Sequence, residues 1–102
     1  EQLHAIIIKE SLIIYIVQLI SKTRNNPSLF LGASPRASID LMKASKAYAA
    51  INGRDFVSPE DIKRLFQPVI AHRVLLSPEA ELQGITIQEV VDQILQQVEV
   101  PK

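Results

Sequence analysis

Cysteine and tryptophan are both absent from this chain of 102 residues, and glycine occurs only three times, at positions 32, 53 and 84. Without cysteine there is no disulfide and no thiol nucleophile, a composition that fits a reducing compartment. No pair of the glycines brackets a phosphate-cradling loop, so a P-loop with its Lys and Ser/Thr is missing. A Gly-x-Ser-x-Gly elbow, a Cys-His pair and a His-Glu-x-x-His helix are missing too. Catalysis is therefore not expected of the chain by itself. An excess of one charge is also lacking: 11 basic residues balance 11 acidic ones, leaving no global field to hold nucleic acid or an anionic membrane. His72 stands beside Arg73 with no second ligand at metal spacing, so no metal site is expected and a structural or interface role suits it better. The longest apolar run, Leu12 to Ile20, is far shorter than the stretch of about 20 residues that spans a bilayer. Lys9-Glu10 and Ser21-Lys22 flank it, and neither a basic leader nor a small-residue cleavage site surrounds it. It reads as a buried helix, without stable membrane insertion.

What is present is ordinary for a globular domain: 47% apolar and 22% charged residues, with six prolines falling between periodic segments. One domain covering 1–102 is expected, and the absence of an initiator methionine before Glu1 suggests a fragment of a longer protein. Ala5 to Ile8 reads as a short extended run before a first helix beginning near Lys9 or Glu10. Leu12, Ile13, Ile16, Leu19, Ile20 and Thr23 recur at helical spacing, with Ile14 and Val17 widening the stripe to a second side. Asn25-Asn26-Pro27 ends that helix, and Ser28 to Gly32 reads as a loop. In the second helix Ala37, Leu41, Ala44, Tyr48 and Ile51 form the expected core face, and Asn52-Gly53 stops it. Ser58-Pro59-Glu60-Asp61 is a helix start, with Pro68 expected to kink or end the helix that follows. Val74-Leu75-Leu76 suits a short strand, Ser77-Pro78-Glu79 a single turn closed by Gly84, and Thr86 to Val98 a last amphipathic helix terminated by Pro101. Glu60-Asp61 and Glu79/Glu81 serve helix starts and turns rather than acid–base chemistry. The class is all-α: a small bundle of about four main helices with at most two short strands.

The most informative stretch is Gly32-Ala33-Ser34-Pro35-Arg36-Ala37. Ser34 is expected as N-cap and Pro35 as first helical residue, which sets Arg36 in the first turn. There the positive end of the helix dipole makes a cation cost about 0.3–1 kcal/mol. Such a placement asks for an anionic partner, unless Arg36 is merely solvated or pairs one turn later with Asp40.

Together with Gly53-Arg54-Asp55-Phe56-Val57-Ser58-Pro59-Glu60-Asp61-Ile62 and His72-Arg73, this motif resembles the C-terminal helical lid of MoxR-type AAA+ ATPases. The likeness starts near Tyr15-Ile16-Val17, includes Thr23-Arg24, and reaches Glu99-Val100-Pro101. The resemblance implies that Arg36 is the sensor 2 arginine, reaching the terminal phosphate of ATP bound with Mg2+ in a longer parent, with Ala33 and Ser34 close to the nucleotide. It also implies a P-loop domain in the same polypeptide, neighbouring subunits of a ring such as a hexamer, an unidentified client protein and a cytoplasmic setting. Arg24, Arg54 and Arg73 match recurrent positions whose roles spacing does not assign. Competing readings are a histone-fold-like nucleic-acid binder, which zero net charge disfavours, and a protein-interaction bundle. Neither accounts for the Gly-Ala-Ser-Pro-Arg-Ala motif.

An isolated chain with one arginine on an open surface cannot enclose a small ligand. It is expected to fold as a mainly helical domain without ATP turnover or measurable ATP affinity; micromolar binding by calorimetry would contradict this.

Overall fold

A computed structural model describes residues 6–71 and 73–101, the side chains of Phe30 and Leu31 apart. Ala5 of the expected N-terminal run and His72 lie outside the described residues. The elements in chain order are α1 (Glu10–Arg24), β1 (Leu29–Leu31), α2 (Arg36–Ile51), α3 (Pro59–Ile70), β2 (Leu75–Leu76), α4 (Pro78–Leu82) and α5 (Ile87–Gln97). The helices pack around one core whose fully buried side chains include Tyr15, Ile16, Leu19, Leu41, Ile62, Phe66 and Ile94. The bundle with two short strands agrees with the expected class.

Helix α1 starts where expected, and Lys22 and Arg24 in its last turn suit the negative end of its dipole. Its buried line is Leu12, Tyr15, Ile16, Leu19, Ile20 and Thr23. Tyr15 takes the place expected of Ile13, which is 38% exposed beside Ile14 and Val17 at 51% and 47%. The wide apolar stripe is therefore half core and half open surface. The Tyr15 and Ser45 hydroxyls are buried without a hydrogen-bond partner among the described residues. Burial, with the Glu60 charge adding to it, pushes the Tyr15 phenol above its ordinary pKa.

Helix α2 departs from expectation in two ways. Its buried line is Ala37, Leu41, Ser45 and Ala49, at spacings of four, while Ala44 and Tyr48 are half-buried and Ile51 is 82% exposed. The expected line therefore drifts off the core toward the C-terminus of the helix. Ser34 does not cap with its side chain. Pro35 already has helical torsions, φ −57° and ψ −25°. The Ala37 and Ser38 N–H groups donate to the Ser34 and Pro35 carbonyls at 2.9 and 3.0 Å.

The other helix starts follow the sequence closely. Ser58 and Thr86 form reciprocal capping boxes with Asp61 and Glu89. Gly53, at φ +75°, takes the left-handed position that ends α2. Helix α3 runs two residues beyond Pro68, so the early end does not occur there. Helix α5 stops at Gln97, short of Pro101, because Val98 turns to extended torsions.

Two pieces of extended chain tie the bundle. Ile7 forms a parallel bridge with Phe56, its N–H donating to the Asp55 carbonyl at 2.8 Å. Strand β1, within the segment read as a loop, pairs antiparallel with β2, Leu29 opposite Leu76 and Leu31 opposite Leu75.

The segment between α2 and α3 is locked by one ion pair. Arg54 grips both carboxylate oxygens of Asp61 at 2.7 Å, and the Ser58 N–H donates to the same carboxylate at 2.8 Å. Burial alone would raise the Asp61 carboxyl, but these hydrogen bonds and the Arg54 charge outweigh it and hold its pKa below the usual 3.8. A depressed carboxylate contributes stability that is present above its unfolded pKa and is lost as pH falls through the lower folded value. Asp61→Asn is thus expected to be less stable than the wild type at neutral pH, with the gap closing as pH drops below about 4. An undiminished gap in acid unfolding would refute that role.

The two serines make a second contrast. Ser58→Ala is expected to cost about 1 kcal/mol through the lost cap, and Ser34→Ala, with no such bond to lose, only a few tenths; denaturant unfolding of both variants is the check.

Candidate functional site: the Arg36 turn

The turn that carries Arg36 is held from three sides. From the N-terminal side, β1 delivers the chain directly into Gly32, and its pairing with β2 is extended by the Ser77 N–H donating to the Ser28 carbonyl at 2.8 Å. From beneath, the buried Thr23 hydroxyl in the last turn of α1 accepts the Ala33 N–H at 3.0 Å and donates to the Ile20 carbonyl at 2.6 Å. Gly32 lies directly on the same helix end. A Cβ there would come within 2.5 Å of the Thr23 carbonyl oxygen and 2.6 Å of the Arg24 Cα, so only glycine lets the turn sit this close. From the far side, Ala37 is buried at 1% exposure against the core.

The three residues singled out for nucleotide contact separate in this frame. Ala33 is fully buried and its N–H is already engaged, so its part is to fix the turn. Ser34 and Arg36 are exposed. No acid occupies the first turn of α2. Among the described residues Arg36 has no ion-pair partner.

Asp40, the carboxylate one turn along, is held by Arg73 at 2.9 Å, and Arg73 also donates to the Val69 carbonyl. The local pairing of Arg36 with Asp40 that spacing allows is therefore not made. An exposed ion pair of this kind contributes little to stability, up to about 1 kcal/mol, but it decides which cation Asp40 neutralises. Arg54, by contrast, is spent on Asp61 and on the Phe56 ring 5.6 Å away. Thr23 and Arg73 belong to the family likeness and Asp40 to the local alternative for Arg36, but the sequence assigned neither the Thr23 tie nor the Asp40–Arg73 pair to this site. Thr23 read as one more member of the α1 stripe, and the signal that could have found it is Gly32 itself, one of only three glycines in the chain.

An apolar groove of about 380 Å³, lined by Ile7, Leu12, Phe56, Val57, Pro59 and Pro101 among others, shares no residue with the turn. Among the described residues no three His, Cys, Asp or Glu side chains cluster as a metal site would require. Among the described residues no helix is long and apolar enough to cross a membrane.

Residues 21–94, spanning the Thr23 tie, the turn and all of α2 and α3, match the family model of the AAA lid domain. The chain belongs to the AAA lid domain family. Proteins named MoxR are among its relatives: Chaperone MoxR1 of Mycobacterium tuberculosis is 31% identical over 104 residues, covering 93% of this chain and 28% of that protein. Protein MoxR of Methylorubrum extorquens is 45% identical over 56 residues, covering 55% of this chain and 16% of that protein. An uncharacterized Bacillus subtilis protein, YeaC, is 48% identical over 87 residues, 85% of this chain and 27% of its own length. The fold of this lid superposes on a crystal structure from Cytophaga hutchinsonii, provisionally described as an ATPase, with a TM-score of 0.90 and 37% identity over 99% of this chain and 33% of that one. The lid thus spans a third or less of the length of these relatives.

Proposed function

We propose that this lid supplies the sensor 2 arginine, Arg36, to the terminal phosphate of ATP in a MoxR-type AAA+ ATPase, and that the same contact couples hydrolysis to rotation of the lid. The observation that carries the reading is an exposed arginine, on a tightly built turn, at the positive end of α2 with no acid beside it and with Asp40 diverted to Arg73. Phosphate offsets a cation so placed, and a backbone already fixed around Arg36 leaves only the side chain to be ordered on binding. Ser34, exposed next to Arg36, lies near the nucleotide in this reading, while Ala33 supports the turn from within. In this reading magnesium and the attacking water belong to a P-loop domain of the same polypeptide.

The open face of α1, Ile13, Ile14 and Val17, supports packing of that domain against the lid. A ring of subunits, such as a hexamer in the cytoplasm, and the remodelling of a client protein complete the proposal and rest on the likeness to MoxR proteins, one of which bears the name chaperone.

In the full-length ATPase, Arg36→Ala is expected to leave the fold intact and to lower ATP turnover on the order of 10²–10³-fold. Arg36→Lys should restore little, since a point charge lacks the planar, multi-donor grip of guanidinium. A stable Arg36→Ala protein with near-normal turnover would sink the assignment.

A further inference from the structure

We infer that Thr23 is a positioning residue for Arg36: its buried hydroxyl latches the arginine-bearing turn to the end of α1, so that the helix and the turn move as one body. The inference rests on the reading of Arg36 as the phosphate-sensing arginine and adds to it the device that aims the side chain. A threonine in the last turn of a helix commonly donates to the carbonyl three residues back, as Thr23 does to Ile20. Its second bond is not local. Thr23 Oγ1, in a residue only 1% exposed, also accepts the Ala33 N–H, ten residues along and beyond β1. The hydroxyl therefore uses donor and acceptor at once, one on the helix and one on the turn.

Gly32 makes the latch close-fitting. The backbone of the turn rests on the Thr23 carbonyl and the Arg24 Cα at a separation no Cβ permits. Downstream, Ala33 and Ala37 anchor the turn on either side of Arg36 through side chains that are 0% and 1% exposed. Arg36 is thus an exposed side chain on a backbone fixed before and after it, and Thr23 is the contact that joins that backbone to α1. Losing the hydroxyl leaves the Ala33 N–H buried and unpaired, which favours lifting of the turn toward water and misaims Arg36. Small misplacement of a group that acts on a transition state costs rate more than binding.

The test measures MgATP turnover by the full-length ATPase, with thermal unfolding of each variant alongside. Thr23→Val keeps the shape and removes the hydroxyl, and is expected to lower kcat about tenfold while KM shifts less than about threefold. Thr23→Ser keeps the hydroxyl and should stay within about twofold of wild type. Gly32→Ala keeps the hydroxyl and displaces the turn, and should reproduce the loss, so that the latch is still tested if Thr23→Val does not fold. Because Thr23 acts through Arg36, Thr23→Val is expected to slow an Arg36→Ala protein no further.

Normal kcat in a folded Thr23→Val or Gly32→Ala protein overturns the inference, and so does an equal fold-loss in the Arg36→Ala background. Normal turnover in Arg36→Ala alone instead removes the sensor reading. The latch is then judged by hydrogen exchange at the Ala33 amide, which Thr23→Val should accelerate and which, if unchanged, refutes the tie itself.

Discussion

The close contact between the C-terminal end of α1 and the Gly32–Ala33 turn is the constraint on which the arrangement of the site depends. Helix α1 contributes a buried line of large side chains to the core, so its end is fixed by packing rather than by its own termini. The turn is then fixed to that end by a hydroxyl with two partners and by a glycine with no room for a side chain. Helix α2 begins where the turn leaves off. Its direction, and with it the position of Arg36, follows from the core of the bundle through one short relay.

Electrostatics then selects which cations are used up and which are left. Arg54 is bound in a bidentate grip on a carboxylate that is 2% exposed, in a place where removing either partner would disturb the start of α3. Arg73 holds Asp40 at the surface, across the interface of α2 with the chain that follows α3. Arg36 could have met Asp40 along its own helix, a pair worth a few tenths of a kcal/mol at most in that order. The long-range pair wins because the antiparallel β1–β2 strands bring residues just before Leu75 back beside the turn that opens α2.

Where sequence and structure agree, the signals are local. Ser58 with Asp61, Thr86 with Glu89 and Gly53 after Asn52 each specify a helix end through groups within a few residues, and the periodic stripe of α5 needs only its own spacing. Where they differ, the deciding partner is remote. Leu29–Leu31 is too short to announce a strand, and becomes one only because Leu75–Leu76 lies opposite. Ser34 fits an N-cap by pattern, but Pro35 is already helical and backbone carbonyls take the first N–H groups. The α2 face could not be placed beyond Leu41 from spacing alone, because small residues, Ser45 and Ala49, are buried there while Tyr48 is half-buried and Ile51 exposed. Of the site itself, the placement of Arg36 was legible because a cation at the positive end of a helix conflicts with local preference; the Thr23 latch and the diversion of Asp40 were not, since both join residues far apart in sequence.

The conflict at Arg36 is small on the scale of folding. A first-turn cation costs about 0.3–1 kcal/mol, against a typical domain stability of about 5–15 kcal/mol. The bundle tolerates it with no local compensation. The same dipole that disfavours the free arginine favours any anion brought to it, so phosphate relieves the conflict instead of adding a new interaction to a satisfied site. Coupling of this kind runs in both directions: if ATP draws the lid toward the ATPase domain through Arg36, then whatever orients the lid must alter affinity for ATP by the same factor. The reciprocity holds whatever the mechanics, but the size of the coupling depends on how firmly the arginine is joined to the body of the lid. A loosely held turn would let Arg36 follow the phosphate while the bundle stayed behind, so under the proposed sensor role the tie of the turn to α1 by Thr23 and Gly32 is what would carry the pull on Arg36 to the bundle.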